Sequence, residues 1–364
     1  MALQALHHAR TRYNACAMIP PHHTPAFFAR LAAHSDAADR TADWPALSWA
    51  ALRESGLLAG AVPAADGGAG WGVTELHAAN EAVAAACLTT AFVLSQRDAA
   101  VRRIAGGPDD LRRRYLPGLA SGELFATVGL SQLTTSRQHG APAVSVTPTP
   151  DGYRIDGEVP WVTGADRADV IVIGGTLPDA TQAVFAVPAG TPGLTVGPPM
   201  MLAALAGSRT TWVRCDGVEL TDEHLLAGPA VDVLGRLGGG GLDTSNLAVG
   251  LAAAAAGAVR DAAGYRPDLS DRAERMTAAV EAARARLHHL ATAPPAPEAT
   301  LALRADCTRL ALAATQAALI LAKGAGFVAP HPAQRWARQA LFFLVWSCPR
   351  PAADGVLGEL LDLA

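Results

Sequence analysis

Lysine is nearly missing from this chain. Lys323 is the one lysine among 364 residues, and the other 28 basic side chains are arginines. Thirty-three acidic residues face those 29 cations, giving a formal charge of -4. Phosphate neutralisation needs a basic face, so no nucleic-acid partner is expected. Eighty alanines accompany the arginine bias. That is the composition of a GC-rich coding sequence, and the arginine excess carries little functional weight by itself.

Cysteine is scarce too. Cys16, Cys87, Cys215, Cys307 and Cys348 are odd in number and far apart, with no CxxC pair. This excludes a zinc template and a disulfide framework and leaves free thiols in a reducing compartment. Long apolar runs are also wanting. The nearest, Leu247 to Val259, is mostly alanine and glycine, well short of the about 18 residues of a membrane span. The opening MALQALHHARTRYNAC has neither the apolar core nor the small-residue cleavage pattern of a signal peptide. The expectation is a soluble, cytoplasmic protein with no membrane partner. Half the residues are apolar, enough for a sizeable core divided over two or three domains.

Three zones follow from the change of period along the chain. Residues 1–122 read as an N-terminal helical domain, its first 20 or so loosely held. Thr74 to Gln96 carries Leu76, Ala79, Val83 and Cys87 at helical spacing, and Gly/Pro/Asp loops punctuate the zone at 64–72 and 105–110. Residues 123–228 read as a central β-domain. ELFATVGLS, YRIDGEVPWVT, DVIVIGG, QAVFAVP and RTTWVRCDGVEL are short, β-branched and closely spaced, the pattern of an antiparallel sandwich or barrel. Along the last of these, Thr211, Val213 and Cys215 share one pleat face. Residues 229–364 return to helix. Asp243 to Arg260 is alanine-dominated, and Asp271 with Glu274 predicts a capping box opening a helix to about Leu290. ATAPPAPEAT at 291–300 reads as a linker, and Leu301 to Lys323 as one apolar-faced helix whose Arg304, Asp306 and Arg309 exclude it from a bilayer. The fold class is α+β: helices, then strands, then a helical bundle.

Isolated motifs offer little chemistry. Gly238 to Gly241 lack the preceding strand and following lysine of a phosphate loop and read as a hinge. His7-His8 and His22-His23 have no carboxylate at ligand spacing, so no metal is expected. Ser131, Ser208 and Ser245 stand in no GxSxG elbow. Asp109-Asp110 before Arg112-Arg113-Arg114 is the pattern of a solvated helix face.

Several longer segments, in order, say more. LRESGLLAGAVPAADGGAGW (52–71), YLPGLASGEL (115–124), GYRIDGEVPWVTGADRADV (152–170), VRCDGVELTDEHLLAG (213–228) and GAGFVAPHPAQRWARQA (324–340) together resemble the acyl-CoA dehydrogenase family from about Trp44 to the end. The resemblance implies that family's three-domain fold, FAD held between the β-domain and the C-terminal helices, and an acyl-CoA or related acyl thioester as substrate. Trp161 matches the tryptophan packed beside the isoalloxazine. Thr163 matches the threonine at the N5 edge. Leu130-Ser131 matches the pair whose hydroxyl meets the N1–C2=O edge, where a positioned donor stabilises the charge of the reduced ring. It also implies a homo-oligomer, dimer or tetramer, built through the C-terminal helices.

The chain departs from the family at the base. The family's catalytic glutamate takes the substrate's α-proton. At its usual position, in the segment after Arg338, this sequence has Ser347. At the alternative position, used by isovaleryl-CoA-type members, Leu242-Asp243-Thr244-Ser245-Asn246 puts Ser245 at the base and Asn246 at a substrate-binding arginine. No catalytic residue is thereby identified. The family's pyrophosphate-binding segment is cut short at GYRPDLSD (264–271), Ile320 and Lys323 replace cofactor anchors, and Ser131 to Gln138 replace a Gly-rich loop. These changes predict weakened FAD affinity and weakened desaturation. Three readings remain. One is an FAD-dependent oxidoreductase with variant chemistry. Another is an inactive relative, serving as an acyl-binding module or as the partner of an intact paralogue in a hetero-oligomer. The third is a flavin oxidase or monooxygenase of the same fold.

Overall fold

The structure, a computed structural model, describes residues 24–134, 141–235 and 241–361. Cys16, the paired histidines, most of the glycine run and residues 135–138 of the loop after Ser131 lie outside the described residues.

Helices α1 (Pro25–Arg40), α2 (Ala46–Glu54), α3 (Val73–Ala86), α4 (Leu88–Ala105) and α5 (Asp109–Ser121) precede the strands. The Thr24 hydroxyl accepts from the Phe27 amide at 3.4 Å, and Pro25 opens α1 where its missing N–H costs nothing. The stretch 74–96, which reads as one helix, is two. Cys87 takes an extended conformation (φ -154°, ψ 99°) and starts a new helix. No glycine or proline marks the break, so apolar spacing alone runs straight through it.

The strands are β1 (Ala126–Gly129), β2 (Val144–Thr149), β3 (Gly152–Val162), β4 (Val170–Thr176), β5 (Gln182–Pro188), β6 (Leu194–Val196), β7 (Thr211–Leu220) and β8 (Leu225–Ala230). They form one sheet in the order β6-β7-β3-β2-β4-β5-β8, with β1 also paired to β4. The hairpin pairings β2–β3 and β4–β5, and those of β7 with β3 and β6, are antiparallel as the short spacing predicts. The β1–β4 ladder is parallel, Ala126 facing Val170 and Gly129 facing Ile173, so the sheet is mixed. A parallel pair needs a crossover, and here the intervening β2–β3 hairpin supplies it. β4 is buried on both faces. Val170 and Val172 pack on Ile104 and Leu116 of the helices, while Ile171 and Ile173 pack on Val146, Ile155 and Val213 from the sheet itself. Thr211, Val213 and Cys215 are buried and Arg214 and Asp216 exposed, the alternation expected of β7.

The C-terminal helices are α6 (Gly241–Ala263), α7 (Ser270–Thr292), α8 (Pro297–Gly326), α9 (Pro332–Ala340) and α10 (Arg350–Leu361). Leu247, Leu251, Ala255 and Val259 of α6 lie in the centre of this bundle. Small residues let it approach α3: a Cβ on Gly250 would sit 2.5 Å from the Glu81 carbonyl oxygen. Both α6, over 242–263, and α8 are long and apolar enough by composition to cross a membrane; in α6 most of that apolar stretch is buried against the rest of the protein. The capping box at Asp271 does not form. α7 begins at Ser270 with Leu269 as an uncapped N-terminus, leaving Asp271 in the first turn, where its charge suits the helix dipole. α8 is broken near its end by Lys323, whose backbone is non-helical (φ 53°, ψ -148°).

Asp39 of α1 joins three parts of the molecule. One carboxylate oxygen accepts from the Leu205 amide at 2.9 Å and from Gln339 Nε2 at 2.8 Å; the other pairs with Arg338 at 2.7 Å. An N-terminal helix, a loop of the sheet and α9 are thus locked at one buried carboxylate.

Candidate active site

A cavity of about 1290 Å³ opens where these three parts meet. The sheet contributes Val128, Leu130, Ser131, Trp161, Thr163 and Thr210; α3 and α4 form a second wall; the start of α6 and residues 338–347 form a third.

An irregularity in β3 places the tryptophan. The pairing of β3 with β7 shifts register between Val159 and Val162, both of which are fully buried in the sheet core, and Trp161 between them is turned out, half exposed into the cavity. Thr163 follows at the strand end, and Gly164 (φ 64°) turns the chain where a Cβ would press on the Phe125 and Trp44 rings. The Thr163 hydroxyl is already engaged. It shares a 3.1 Å hydrogen bond with Thr210 Oγ1, which in turn meets Ser208 Oγ at 3.0 Å. Ser131 opens a 3-10 turn after β1. Gln132 pins that turn by donating to the carbonyls of Gly129 (2.9 Å) and Gly174 (2.7 Å). The Ser131 hydroxyl itself is buried and has no hydrogen-bond partner among the described residues. A buried hydroxyl without a partner costs about 1–3 kcal/mol, so it is set up for an acceptor that a ligand brings.

Of the serines at the two base positions, only Ser347 reaches the cavity. It lies in the left-handed region (φ 42°), after a 3-10 turn Leu341–Leu344. Arg304 of α8 holds that segment from behind, donating to the carbonyls of Phe343 and Trp346, each at 2.9 Å. Its guanidinium is 1% exposed, and burial pushes its pKa down to about 10. Ser245 is fully buried on the far face of α6, beside the Cys307 thiol. Asn246 is buried as well, its Nδ2 donating to the His77 carbonyl at 2.9 Å. Neither Ser245 nor Asn246 lines the cavity.

Asp243 does, and it is the single carboxylate among the lining residues. One of its oxygens is in a short contact with Arg102; the other lies 3.8 Å from His77 Nε2. Burial opposes the charge, but Arg102 and His77 outweigh it and hold the carboxyl far below the usual range. Such a carboxylate is a poor proton acceptor at neutral pH. No three potential metal ligands come together among the described residues.

Sequence reading missed the α4 wall. Phe92, Ser95, Gln96, Ala99, Arg102 and Arg103 all face the cavity, and their helical spacing from Phe92 was a usable signal. It also passed over the aromatic cluster at one end. Phe92 lies 4.8 Å from both the Phe342 and Trp346 rings, and the latter two stack at 5.1 Å.

Helices, a mixed sheet and a helical bundle around a shared cavity define the acyl-CoA dehydrogenase fold. The solved butyryl-CoA dehydrogenase of Megasphaera elsdenii superposes with a TM-score of 0.79 over 92% of this chain and 95% of its own, at 18% identity. The family model for the acyl-CoA dehydrogenase N-terminal domain matches residues 25–123. A probable acyl-CoA dehydrogenase of Bacillus subtilis, YngJ, is 29% identical over 238 residues, 62% of either chain and so less than two thirds of that relative. Benzylmalonyl-CoA dehydrogenase of Aromatoleum aromaticum is 25% identical over 87% of this chain and 89% of its own. Over residues 25–123 the chain is similar to the acyl-CoA dehydrogenase N-terminal domain, and over most of its length it has the fold of the acyl-CoA dehydrogenases.

Proposed function

We propose that the protein is an FAD-dependent oxidoreductase acting on an acyl thioester, with the ordinary abstraction of an α-proton weak or lost. The observation that carries the flavin is that the Ser131 hydroxyl, without a partner among the described residues, and the half-exposed Trp161 line the same cavity. Together they offer a donor for a ring carbonyl and an apolar face for a tricyclic ring, in a space ample for a flavin and a thioester. Bound there, FAD supplies a two-electron acceptor.

This chain's residues would do the rest. Ser131 would donate to a carbonyl of the ring, Leu130 and Trp161 would exclude water from it, and the Thr163–Thr210–Ser208 hydroxyl chain keeps the adjoining strand ends in register. Proton removal is the missing step. Ser347 reaches the cavity with no base paired to it among the described residues, and Asp243 is held ionised by Arg102. Saturated acyl-CoAs are therefore expected to bind with little reduction of the flavin.

The test is the absorption spectrum of the purified protein, followed by titration with FAD. Flavin bands, or saturable uptake of added FAD, are expected; a colourless protein that takes up none would overturn the reading. The missing base also favours a second reading, an inactive acyl-binding relative paired with an intact paralogue. Robust turnover by the isolated chain would exclude it. In either case a homo-oligomer assembled through the C-terminal helices is the proposed state, and a monomer by light scattering would correct it.

A further inference from the structure

A polar seam leads from the cavity into the contact between α3 and α7. Its inner end is His77, which lines the cavity together with Asp243. His77 Nε2 lies 3.8 Å from one Asp243 oxygen, and Arg102 holds the other. The residue is 4% exposed, and its second ring nitrogen, Nδ1, is buried with no hydrogen-bond partner among the described residues.

The register of α7 on α3 brings a second imidazole to this point. Arg284 of α7 closes on Glu81 of α3, its Nε donating to the two carboxylate oxygens at 3.0 and 2.9 Å; the same guanidinium reaches Glu281. One helical turn from that pair, four residues back along α3 and four on along α7, stand His77 and His288. Burial holds the His288 pKa below the usual histidine value, and the charges of His77 and Arg284 add to the effect. His288 is partly exposed, yet its Nε2 is buried and it too has no hydrogen-bond partner among the described residues. Each unpaired nitrogen costs about 1–3 kcal/mol. One water bonded to both removes both costs.

We propose that His77 and His288, joined through such a water, form a proton path between the cavity and the solvent outside α7. This rests on the flavin reading above and goes beyond it, to how the site exchanges protons with bulk water. When two electrons leave a reduced flavin, the proton gained with the hydride must leave as well, and a ligand-filled cavity has no bulk water to take it. His77 Nε2 accepts that proton, and Nδ1 gives its own to the water. The water passes one to His288 Nε2, and His288 releases its Nδ1 proton to solvent. One proton enters and one leaves. An imidazole that is neutral near pH 7 suits this relay. Asp243 is the positioning residue, because its ionised carboxylate keeps Nε2 toward the cavity and Nδ1 away from it.

The path is tested first without flavin. In full-length protein isotope-labelled at histidine, NMR saturation transfer reads the exchange of the His77 Nδ1 proton with water, and His77→Gln supplies the assignment. Wild type is expected to exchange this proton rapidly despite its burial. His288→Gln should slow the exchange by about 10²-fold, the low end of what a positioned acid–base group supplies. Imidazole added to the solvent should restore part of the rate, which a purely structural role of His288 would not allow. Slow exchange in wild type, or equal rates in wild type and His288→Gln, would overturn the path. The second arm uses the FAD-loaded protein, reduced with dithionite and mixed anaerobically with ferricenium. Two ferricenium ions take the two electrons and solvent takes the proton. Reoxidation should slow in His288→Gln and recover with imidazole; an unchanged rate would overturn the path's role in the site. A protein that takes up no FAD sinks the flavin reading, and the exchange rates still decide whether the path exists.

Discussion

A single hydroxyl carries much of the functional argument. Ser131 Oγ is buried without a partner, so Ser131→Ala removes an unsatisfied group from the ligand-free protein and a donor from the liganded one. Thermal stability without flavin should be unchanged or slightly higher. FAD affinity should fall about three- to tenfold, the worth of one neutral hydrogen bond, as read by fluorescence titration. A fall in ligand-free stability would show that the hydroxyl already has a structural role. The thiols are the other residue-scale test. Burial raises the pKa of Cys215 and Cys307 to about 12 and raises those of Cys87 and Cys348 also, but Cys348 is only partly buried and has Arg304 nearby to favour its thiolate. The thiolate is the reactive form. In a Cys16→Ser background one thiol, Cys348, should label at pH 8 in the native protein, and three more only on denaturation.

Between elements, charge is used where apolar packing cannot define orientation. Asp39 binds Leu205, Gln339 and Arg338 from two other parts of the chain. Asp39→Ala would strand a buried amide and a guanidinium that is one-third exposed. A loss of roughly 2–4 kcal/mol is expected in urea unfolding, between the costs of an unmade hydrogen bond and of a broken buried ion pair. Because Arg338 also lines the cavity and donates to the Ala203 carbonyl, ligand affinity should fall with stability. A destabilised variant with unchanged FAD uptake would show that this lock stands apart from the site. Arg304 plays the comparable part for residues 343–347; among the described residues no carboxylate pairs with it, and the carbonyls at the end of the 3-10 turn take its donors.

At the scale of the whole molecule, the cavity is bounded by all three parts, so a ligand within it stabilises their mutual arrangement. Saturation with FAD at about a hundred times its dissociation constant should add roughly 2.7 kcal/mol. Differential scanning fluorimetry should then show a rise of roughly 3–4 °C, since an unfolding entropy of about 2.1 cal/mol/K per residue makes each kcal/mol worth a little over 1 °C in a chain of this size. No shift, in a protein that nonetheless binds FAD, would mean that the flavin contacts one part alone.

How much of this was open to reading depends on whether the determinant is local. The switch from helical to two-residue period and the alternation along Thr211 to Asp216 are properties of short segments, and the amino-acid sequence by itself determined them through sterics and burial. So it was with the loss of glutamate at Ser347. The outward face of Trp161 instead depends on the register shift of β3 against β7. What Ser245, Asn246 and Asp243 face was decided only by tertiary structure. They share one turn of α6, and packing against α3 and α8 buries the first two and turns the third toward Arg102. The parallel β1–β4 pair, the break at Cys87 and the α4 wall of the cavity have the same origin. A side chain's partner across a cavity depends on where distant helices come to rest, and that is set by the summed packing of the core, which no short stretch of sequence contains.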